Sequence, residues 1–350
     1  MGRRLQITDF ATVLLWAGVS LAVAAINIGL FSPRAAAHEW RPLTVATLNH
    51  MVDVEVSDSG DDVFIRGRKF RYRLEFDSKL TASIERLPLE KLKLVSGIIP
   101  QSSATDGKHD IRSALFAGPT VRYRHGILGD AIEAGVLAVE RRDGDRVLFV
   151  LDEESVFEDL TPRLHDIDGD GRDEVVVVRS YLDWGAALSV FGLRDGELVQ
   201  IAEADPIGRP HRWFNPIGAA DFNGNGQVEF AAVITPHIGG WIVLCRHDGR
   251  HLREIGRWPG YSKHGIGSTV LRMATVVDAN GDGLLDITVP THDRNVLKAV
   301  TLIDGELAEL QSVSNASAIT TSIVAVDLDG NGLEEIIYGL DNGSLVVIRG

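Results

Sequence analysis

Four acidic segments of the chain combine residue types that bind hard cations. Their shared pattern, D-x-[DN]-G-[DN]-G-x-x-[DE], places side-chain oxygens at positions one, three, five and nine, and glycine at positions four and six. The segments are DIDGDGRDE from Asp166, DFNGNGQVE from Asp221, DANGDGLLD from Asp278 and DLDGNGLEE from Asp327. Calcium takes about six to eight oxygen ligands in flexible geometry, and the glycines let the backbone turn tightly around an ion. The pattern therefore predicts calcium loops, whereas magnesium fits less well because it prefers a rigid octahedron.

These segments differ from the helix-flanked calcium loop of EF-hand proteins. That loop needs an acidic residue at position twelve, where this chain has Val177, Ala232, Val289 and Tyr338. Strand-forming residues follow position nine in every segment, as in the run VVVV from Val175. We therefore predict that each acidic loop joins two β-strands.

The loops recur at a regular interval, which indicates a repeat protein. Successive loops start 55, 57 and 49 residues apart. A second marker keeps the same interval, since Asp-Gly pairs, which are typical of hairpin turns, start at Asp143, Asp195, Asp248 and Asp304. One repeat contains four strand-forming runs, and four antiparallel strands in about 50 residues make one blade of a β-propeller. The sequence thus predicts an all-β fold, a β-propeller of about six four-stranded blades with five to seven allowed.

On these loops and the strands that follow them, the chain resembles FG-GAP or VCBS repeat proteins, the calcium-binding blades of integrin-alpha-like propellers. The resemblance covers about residues 111–350 and is strong from Asp166 onward. Two departures from integrins favour the broader bacterial type of repeat: Ile217-Gly218 replaces Phe-Gly, and Ile234-Thr235-Pro236 replaces Gly-Ala-Pro. The resemblance implies about four structural calcium ions (Ca2+), commonly in exported or cell-surface proteins. Position by position, it implies as metal ligands Asp166, Asp168, Asp170, Glu174, Asp221, Asn223, Asn225, Glu229, Asp278, Asn280, Asp282, Asp286, Asp327, Asp329, Asn331 and Glu335.

The first 37 residues have the composition of a signal peptide or a membrane anchor. Arg3 and Arg4 precede an uncharged run over residues 10–31, and Ala35-Ala36-Ala37 follows it. A basic start, an apolar run and small residues at a cleavage site are typical of a secretory signal. At about 1.5 Å per residue, the run is also long enough to span a bilayer as an uncleaved anchor helix. Both alternatives place the body outside the cytoplasm, whether periplasmic, secreted or anchored.

Composition argues against several classes of function. The chain has 350 residues, of which 35 are Lys or Arg and 49 are Asp or Glu, giving a formal net charge of −14. This acidity argues against nucleic acid as a partner, since phosphate binding needs a basic face. The single cysteine, Cys245, excludes an internal disulfide and a cysteine-based metal cluster. Because the chain lacks nucleophile-elbow, zinc-protease and phosphate-loop motifs, the sequence assigns no catalytic residue.

Blade topology predicts a second surface, opposite the acidic loops. The acidic loop joins strands one and two, and the Asp-Gly turn joins strands three and four. The loops between strands two and three therefore share the other face with the connections between blades. Aromatic, arginine and histidine residues in exposed loops are typical of binding surfaces. The candidate ligand residues on this face are Asp183, Trp184, His211, Arg212, Trp213, His237, Lys263, His264, His292 and Arg294, and Arg122-Tyr123-Arg124-His125 is a further candidate stretch.

The sequence predicts three segments and a binding function. Residues 1–37 form the signal or anchor, residues 38–110 a β segment that is a degenerate blade or a small domain, and residues 111–350 the propeller. We expect an exported binding or adhesion-type module with a monomeric body, whose second face recognises a glycan or a protein. Membrane contact is expected through the N-terminal segment alone. The alternatives are an extracytoplasmic enzyme, polysaccharide-cleaving or metal-assisted, that uses histidines of that face, and an envelope scaffold without a ligand.

Overall fold

The computed structural model describes residues 39–57, 60–77, 81–88 and 97–349, and every regular element in these ranges is a β-strand. Within them, no helix is long and apolar enough to cross a membrane. The predicted signal or anchor over residues 1–37 lies outside the described residues.

The strands follow one another with short connections. The first fourteen are β1 (Arg41–Thr47), β2 (Met51–Val56), β3 (Val63–Gly67), β4 (Phe70–Phe76), β5 (Ala82–Pro88), β6 (Thr105–Asp106), β7 (Ile111–Thr120), β8 (Glu133–Arg141), β9 (Arg146–Val150), β10 (Ser155–Phe157), β11 (Arg163–His165), β12 (Glu174–Tyr181), β13 (Gly185–Arg194) and β14 (Glu197–Glu203). The remaining eleven are β15 (Phe214–Ala220), β16 (Glu229–Ile234), β17 (Trp241–Asp248), β18 (His251–Pro259), β19 (Thr275–Val277), β20 (Asp286–Pro290), β21 (Val296–Ile303), β22 (Glu306–Ser314), β23 (Val324–Val326), β24 (Glu335–Gly339) and β25 (Ser344–Arg349).

Antiparallel pairing groups these strands into six four-stranded blades, which confirms the predicted propeller. Blade 1 contains β2–β5, blade 2 contains β6–β9, and blade 3 contains β10–β14, with β10 and β11 together forming its inner strand. Blade 4 contains β15–β18 and blade 5 contains β19–β22. Blade 6 contains β23, β24 and β25, and its outer strand is β1.

The β1 strand closes the ring by joining the two ends of the described chain. It pairs antiparallel with β25 from Arg41 opposite Arg349 to Thr47 opposite Ser344. Blade 1 then follows blade 6 directly in space, since the Asp53 carboxylate accepts a 2.7 Å hydrogen bond from the backbone N–H of Ser322. Blade 6 therefore needs a strand from the opposite end of the chain.

The second strand of each acidic-loop blade is buried on both faces. Strands β12, β16, β20 and β24 pack between neighbouring blades, and nearly every residue in them is inaccessible to solvent. Two-sided burial requires apolar side chains at every position rather than alternation. This explains the continuous runs VVVV, FAAVI, ITV and IIY that follow the loops.

Most inner strands are interrupted near the face opposite the acidic loops. In blade 3, β10 and β11 both pair with β12, and residues 158–162 leave the sheet between them. Blades 2, 5 and 6 repeat this plan. In each, one residue first makes a single bridge beside the second strand, and these residues are Ile98, Tyr261 and Ile319. The chain then leaves the sheet and returns as β6, β19 and β23, respectively. The longest excursion, residues 262–274, is in blade 5.

The structure joins the N-terminal β segment to the propeller rather than setting it apart. The described residues from 39 to 349 belong to one compact unit. Within the segment 38–110, β1 belongs to blade 6, β2–β5 form blade 1, and β6 opens blade 2. The boundary placed at residue 110 falls inside blade 2, because β6 before it pairs with β7 after it.

Candidate functional site

All four acidic loops lie on one face of the propeller, where each connects an inner strand to the second strand. The first loop runs from β11 to β12, the second from β15 to β16, the third from β19 to β20 and the fourth from β23 to β24. This is the strand–loop–strand arrangement that the sequence predicts.

A common hydrogen-bond scheme holds the acidic loops in shape. In the first loop, the Asp166 carboxylate accepts hydrogen bonds from the backbone N–H groups of Gly169, Asp170 and Gly171, at 2.8, 3.1 and 3.0 Å. The position-nine Glu174 accepts one from Ile167 at 3.2 Å. The fourth loop repeats these bonds with Asp327 and Glu335. The second and third loops follow the same plan.

In two loops the acidic side chains converge. Carboxylate oxygens of Asp166, Asp168 and Glu174 lie within 4.8 Å of one another. Asp327, Asp329 and Glu335 form the same cluster in the fourth loop. Among the described residues the other two loops form no such carboxylate triad. The second loop offers two asparagine amides instead, at Asn223 and Asn225, and in the third loop Asn280 Nδ2 donates to Asp282 at 3.0 Å.

Two position-nine carboxylates have an oxygen that a cation would satisfy. Glu174 Oε1 and Asp286 Oδ1 are buried and accept no hydrogen bond. Arg194 approaches Glu174 Oε1 at 3.5 Å, whereas Glu229 of the second loop accepts from Nε of Arg246 at 3.2 Å. Buried carboxylate oxygens without a hydrogen bond are rare in folded proteins, so these two carboxylates and the acidic side chains beside them fit a hard cation.

Burial and the crowding of carboxyl groups in these loops raise the pKa of two position-nine residues. Burial, reinforced by Asp168 and Asp170, raises the pKa of Glu174 to about 7. Burial, reinforced by Asp282 and Asp278, raises the pKa of Asp286 to about 6. Without a cation these carboxyl groups hold protons more tightly than ordinary acids do.

The opposite face contains a cluster of histidines at the junction of loops from different blades. The loop over residues 121–132 connects β7 and β8, the second and third strands of blade 2, and reaches toward blade 5. There the backbone N–H of Gly267 donates to the carbonyl of Ile127 at 3.2 Å. The Tyr123 hydroxyl accepts from the N–H of His211 at 2.7 Å, which ties the same loop to the connection between blades 3 and 4.

One half of the histidine cluster pairs an imidazole with a buried carboxylate. His125 Nδ1 lies 2.5 Å from Oε1 of Glu158, whose other oxygen accepts from the Ser180 hydroxyl. The His125 ring stacks against His211 with centroids 5.1 Å apart. Glu158 is placed here by the excursion of the blade 3 inner strand. The sequence signal that could have revealed it is the acidic pair Glu158-Asp159 within the apolar run SVFEDL.

Glu133 lies in the same region and was also missed by the sequence analysis. It is 1% exposed, and its Oε1 accepts no hydrogen bond. Burial, together with the charges of Glu158, Asp130 and Asp159, raises its pKa to about 9. The region therefore combines a protonated carboxyl group with a His–Glu pair.

The other half of the cluster is a histidine pair. His264 Nδ1 lies 2.9 Å from His237 Nε2, and His264 Nε2 donates to the Ser268 carbonyl at 2.8 Å. The Trp213 ring packs edge-on against His264 at 5.0 Å. Burial lowers the pKa of His237 to about 4 and that of His264 to about 3, so both rings are neutral at physiological pH.

The ten predicted ligand-face residues divide into surface and core. Asp183, Trp184, His211 and His292 are exposed, and Arg212, His237 and Arg294 are half-buried. Trp213, Lys263 and His264 are buried, which corrects their assignment to the surface. Trp213 Nε1 donates to the carbonyl of Glu158 at 2.8 Å, and Lys263 Nζ donates to that of Pro216. Their polar atoms face backbone carbonyls of the core instead of solvent.

Exposed apolar side chains surround the cluster. Val121, Trp184, Ile238 and Ile266 are 54%, 61%, 61% and 76% exposed, and all lie in loops of this face. Single exposed apolar residues are ordinary, whereas contiguous exposed apolar patches are typical of contact surfaces.

Backbone strain is also present in the loops of this face. His211, Thr235 and Arg294 have φ angles of 56°, 45° and 62°. Such angles are uncommon for residues other than glycine, and strained residues are enriched at functional sites.

Comparison with known proteins identifies one repeat. The family model described as FG-GAP-like repeat matches residues 166–232, which run from the first acidic loop through the second. The predicted resemblance to FG-GAP repeats is thereby confirmed. No curated protein sequence matches the chain.

Several solved structures match the chain at low sequence identity. An auxiliary nutrient binding protein from Bacteroides thetaiotaomicron is 11% identical, with 87% of this chain and 69% of that chain covered and a TM-score of 0.43. A luciferin-regenerating enzyme is 10% identical, with 89% and 95% covered and a TM-score of 0.43. Virginiamycin B lyase from Staphylococcus aureus is 12% identical, with 89% and 99% covered and a TM-score of 0.37. Similarity at this level carries no argument about function.

Proposed function

We propose that this protein is an exported, calcium-stabilised binding module. The proposal is supported by the FG-GAP-like repeat and the six-bladed propeller that contains it. The face opposite the acidic loops is its recognition surface, and its ligand is a glycan or a protein. The observation that carries the binding role is the set of exposed apolar side chains around the histidine cluster on that face.

The calcium part of the proposal is supported by the geometry of the acidic loops. Asp166, Asp168 and Glu174 would hold an ion in the first loop, and Asp327, Asp329 and Glu335 in the fourth. Bound calcium would neutralise these carboxylates, and because the unfolded chain lacks the site, binding would stabilise the fold. We propose one ion per loop, four in all, because the four loops share one motif and one hydrogen-bond scheme.

A thermal melt with and without calcium tests this role. We expect the melting temperature Tm to rise by several degrees when millimolar calcium replaces a chelator, since a ligand at about 100 times its Kd stabilises by about 2.7 kcal/mol. Magnesium at the same concentration is the control and should have a smaller effect. An unchanged Tm in calcium would remove the calcium part of the proposal.

The recognition surface is tested by replacing Trp184, which is 61% exposed. We expect W184A to weaken binding to whichever glycan or protein a screen identifies by about tenfold or more, because exposed aromatics dominate interface energetics. The matched control is L148A, since Leu148 is 53% exposed on β9 rather than in a loop of this face. Equal loss of binding in both variants would contradict the proposed surface.

A second candidate function is an extracytoplasmic enzyme. The observation that favours it is the 2.5 Å contact between His125 and Glu158 near Glu133, whose pKa is raised to about 9, since a proton donor beside an imidazole–carboxylate pair suits acid–base catalysis. In the same screen, an enzyme would cleave a polysaccharide and release new reducing ends, and E158Q would abolish that release. Binding without cleavage supports the binding module.

A further inference from the structure

The histidine pair on the recognition face joins two neighbouring segments. His237 belongs to the loop between β16 and β17 in blade 4, and His264 to the long excursion of the blade 5 inner strand. Their facing nitrogens, Nε2 of His237 and Nδ1 of His264, are 2.9 Å apart. His264 is 1% exposed, whereas His237 is half-buried, so the pair is open to solvent on one side.

The hydrogen bond at the far side of His264 fixes its tautomer. A carbonyl oxygen can only accept, so the 2.8 Å contact with Ser268 places the ring proton on Nε2. In the neutral ring, Nδ1 then presents a lone pair toward His237. Histidines that bind metals almost always donate their other ring N–H to a carbonyl or carboxylate in this way, which orients the ring before the metal arrives.

We propose that His237 and His264 form a binding site for a divalent transition-metal ion, such as zinc or copper, distinct from the acidic loops. Imidazole nitrogens suit these metals, whereas calcium prefers oxygen. Nitrogens bind zinc at about 2.0–2.1 Å, so two nitrogens 2.9 Å apart can contact one ion at an angle of about 90°. Opening the pair by about 0.5 Å gives a tetrahedral angle. To bind the ion, His237 must release its hydrogen bond to His264, move its ring proton to Nδ1 and rotate so that both nitrogen lone pairs point at the metal.

The surroundings leave the remaining coordination positions for groups from outside the pair. The positive charge of Arg294 helps to lower the pKa of both His237 and His264, so it lies close enough to act on a bound ion. A cation at this position is therefore best accommodated together with an anionic group, such as a carboxylate, that contacts both the ion and the guanidinium. The inference stands whether or not the acidic loops bind calcium, because it depends on different residues on the other face.

Copper binding to the full chain tests this site. The protein is held in excess calcium, so that the acidic loops are filled by an oxygen-preferring ion, and is titrated with Cu²⁺. Electron paramagnetic resonance then reports nitrogen coupling from imidazole ligands. We expect about one equivalent of nitrogen-coupled copper, its displacement only by a large excess of zinc, which binds such sites more weakly, and a loss of at least about tenfold in affinity for H237Q and for H264Q. The control is H251Q, since His251 is exposed at the start of β18.

H237Q is the decisive variant because His237 is half-buried and its replacement leaves the core intact. Circular dichroism and the Tm establish that each variant is folded. A copper spectrum without nitrogen coupling, or equal copper binding in the native protein and H237Q, would show that the two rings form a structural hydrogen bond only. Either result would overturn the metal site and leave the calcium-dependent Tm unaffected.

Discussion

Glu133 shows how one buried side chain can make stability depend on pH. Burial and three neighbouring carboxylates raise its pKa from 4.5 to about 9. Between these values the folded protein holds a proton that the unfolded chain has released, so this group lowers stability as the pH rises. The limit of the effect is about 1.4 kcal/mol per pH unit.

We therefore predict that E133Q changes the pH profile of unfolding. Between pH 6.5 and 8.5, the Tm of the variant should rise relative to that of the native protein by a few degrees per pH unit, because glutamine has no proton to lose. Thermal melts across this range measure the difference. E154Q is the control, since Glu154 is exposed in the neighbouring turn. Parallel profiles for E133Q and the native protein would show that Glu133 does not titrate in this way.

At the scale of elements, β1 decides whether blade 6 is complete. Trp40, immediately before β1, is 7% exposed and packs in the core between blades 5 and 6. Its Nε1 donates to the carbonyl of Ala279 at 3.1 Å, within the third acidic loop. The closing strand is thus fixed by a side-chain anchor as well as by its pairing with β25.

W40A should consequently destabilise the whole ring. Removing a buried tryptophan costs about 3–5 kcal/mol, and we expect a fall in Tm of roughly 6–15 °C in thermal melts. W184A is the matched control, because Trp184 is 61% exposed and its loss should leave the Tm nearly unchanged. Equal effects of the two substitutions would show that β1 does not fasten the ring.

At the scale of the whole molecule, the acidic loops concentrate part of a large negative charge. The formal net charge is −14, and four calcium ions would add eight positive charges to it. Without those ions, repulsion among the carboxylates opposes the compact state. Salt screens such repulsion, with a Debye length that falls from about 10 Å at 0.1 M to about 3 Å at 1 M.

This charge predicts how salt and calcium act together. Raising sodium chloride from 0.05 to about 0.5 M should increase the Tm of the chelator-treated protein by several degrees, and that of the calcium-loaded protein by less. Sucrose, which is uncharged and stabilises by exclusion from the surface, is the control and should raise both values about equally. Equal salt effects with and without calcium would contradict the view that the loops carry the repulsion.

The repeat pattern predicted much of the fold and the position of the four acidic loops between strands. Local chemistry determines the acidic loops, since their glycines, oxygens and following apolar runs are contiguous in the chain. That is why the four loops, the strand after each and a blade number of six could be predicted. The opposite face and its histidines were predicted from the sequence, but Glu133, Glu158 and the contacts among these side chains were not.

What the sequence determined by itself is therefore the periodic part of this protein: a repeat near 50 residues, the oxygen-rich turns and the two-sided burial of the second strands. Tertiary structure alone decided which distant residues meet. It brought Arg41–Thr47 to the last blade, buried Trp213 and Lys263, and set His125 against Glu158 and His237 against His264. The physical reason is that interruptions of the inner strands place Glu158 and His264 beside histidines from loops of neighbouring blades, and no local spacing encodes where such segments end.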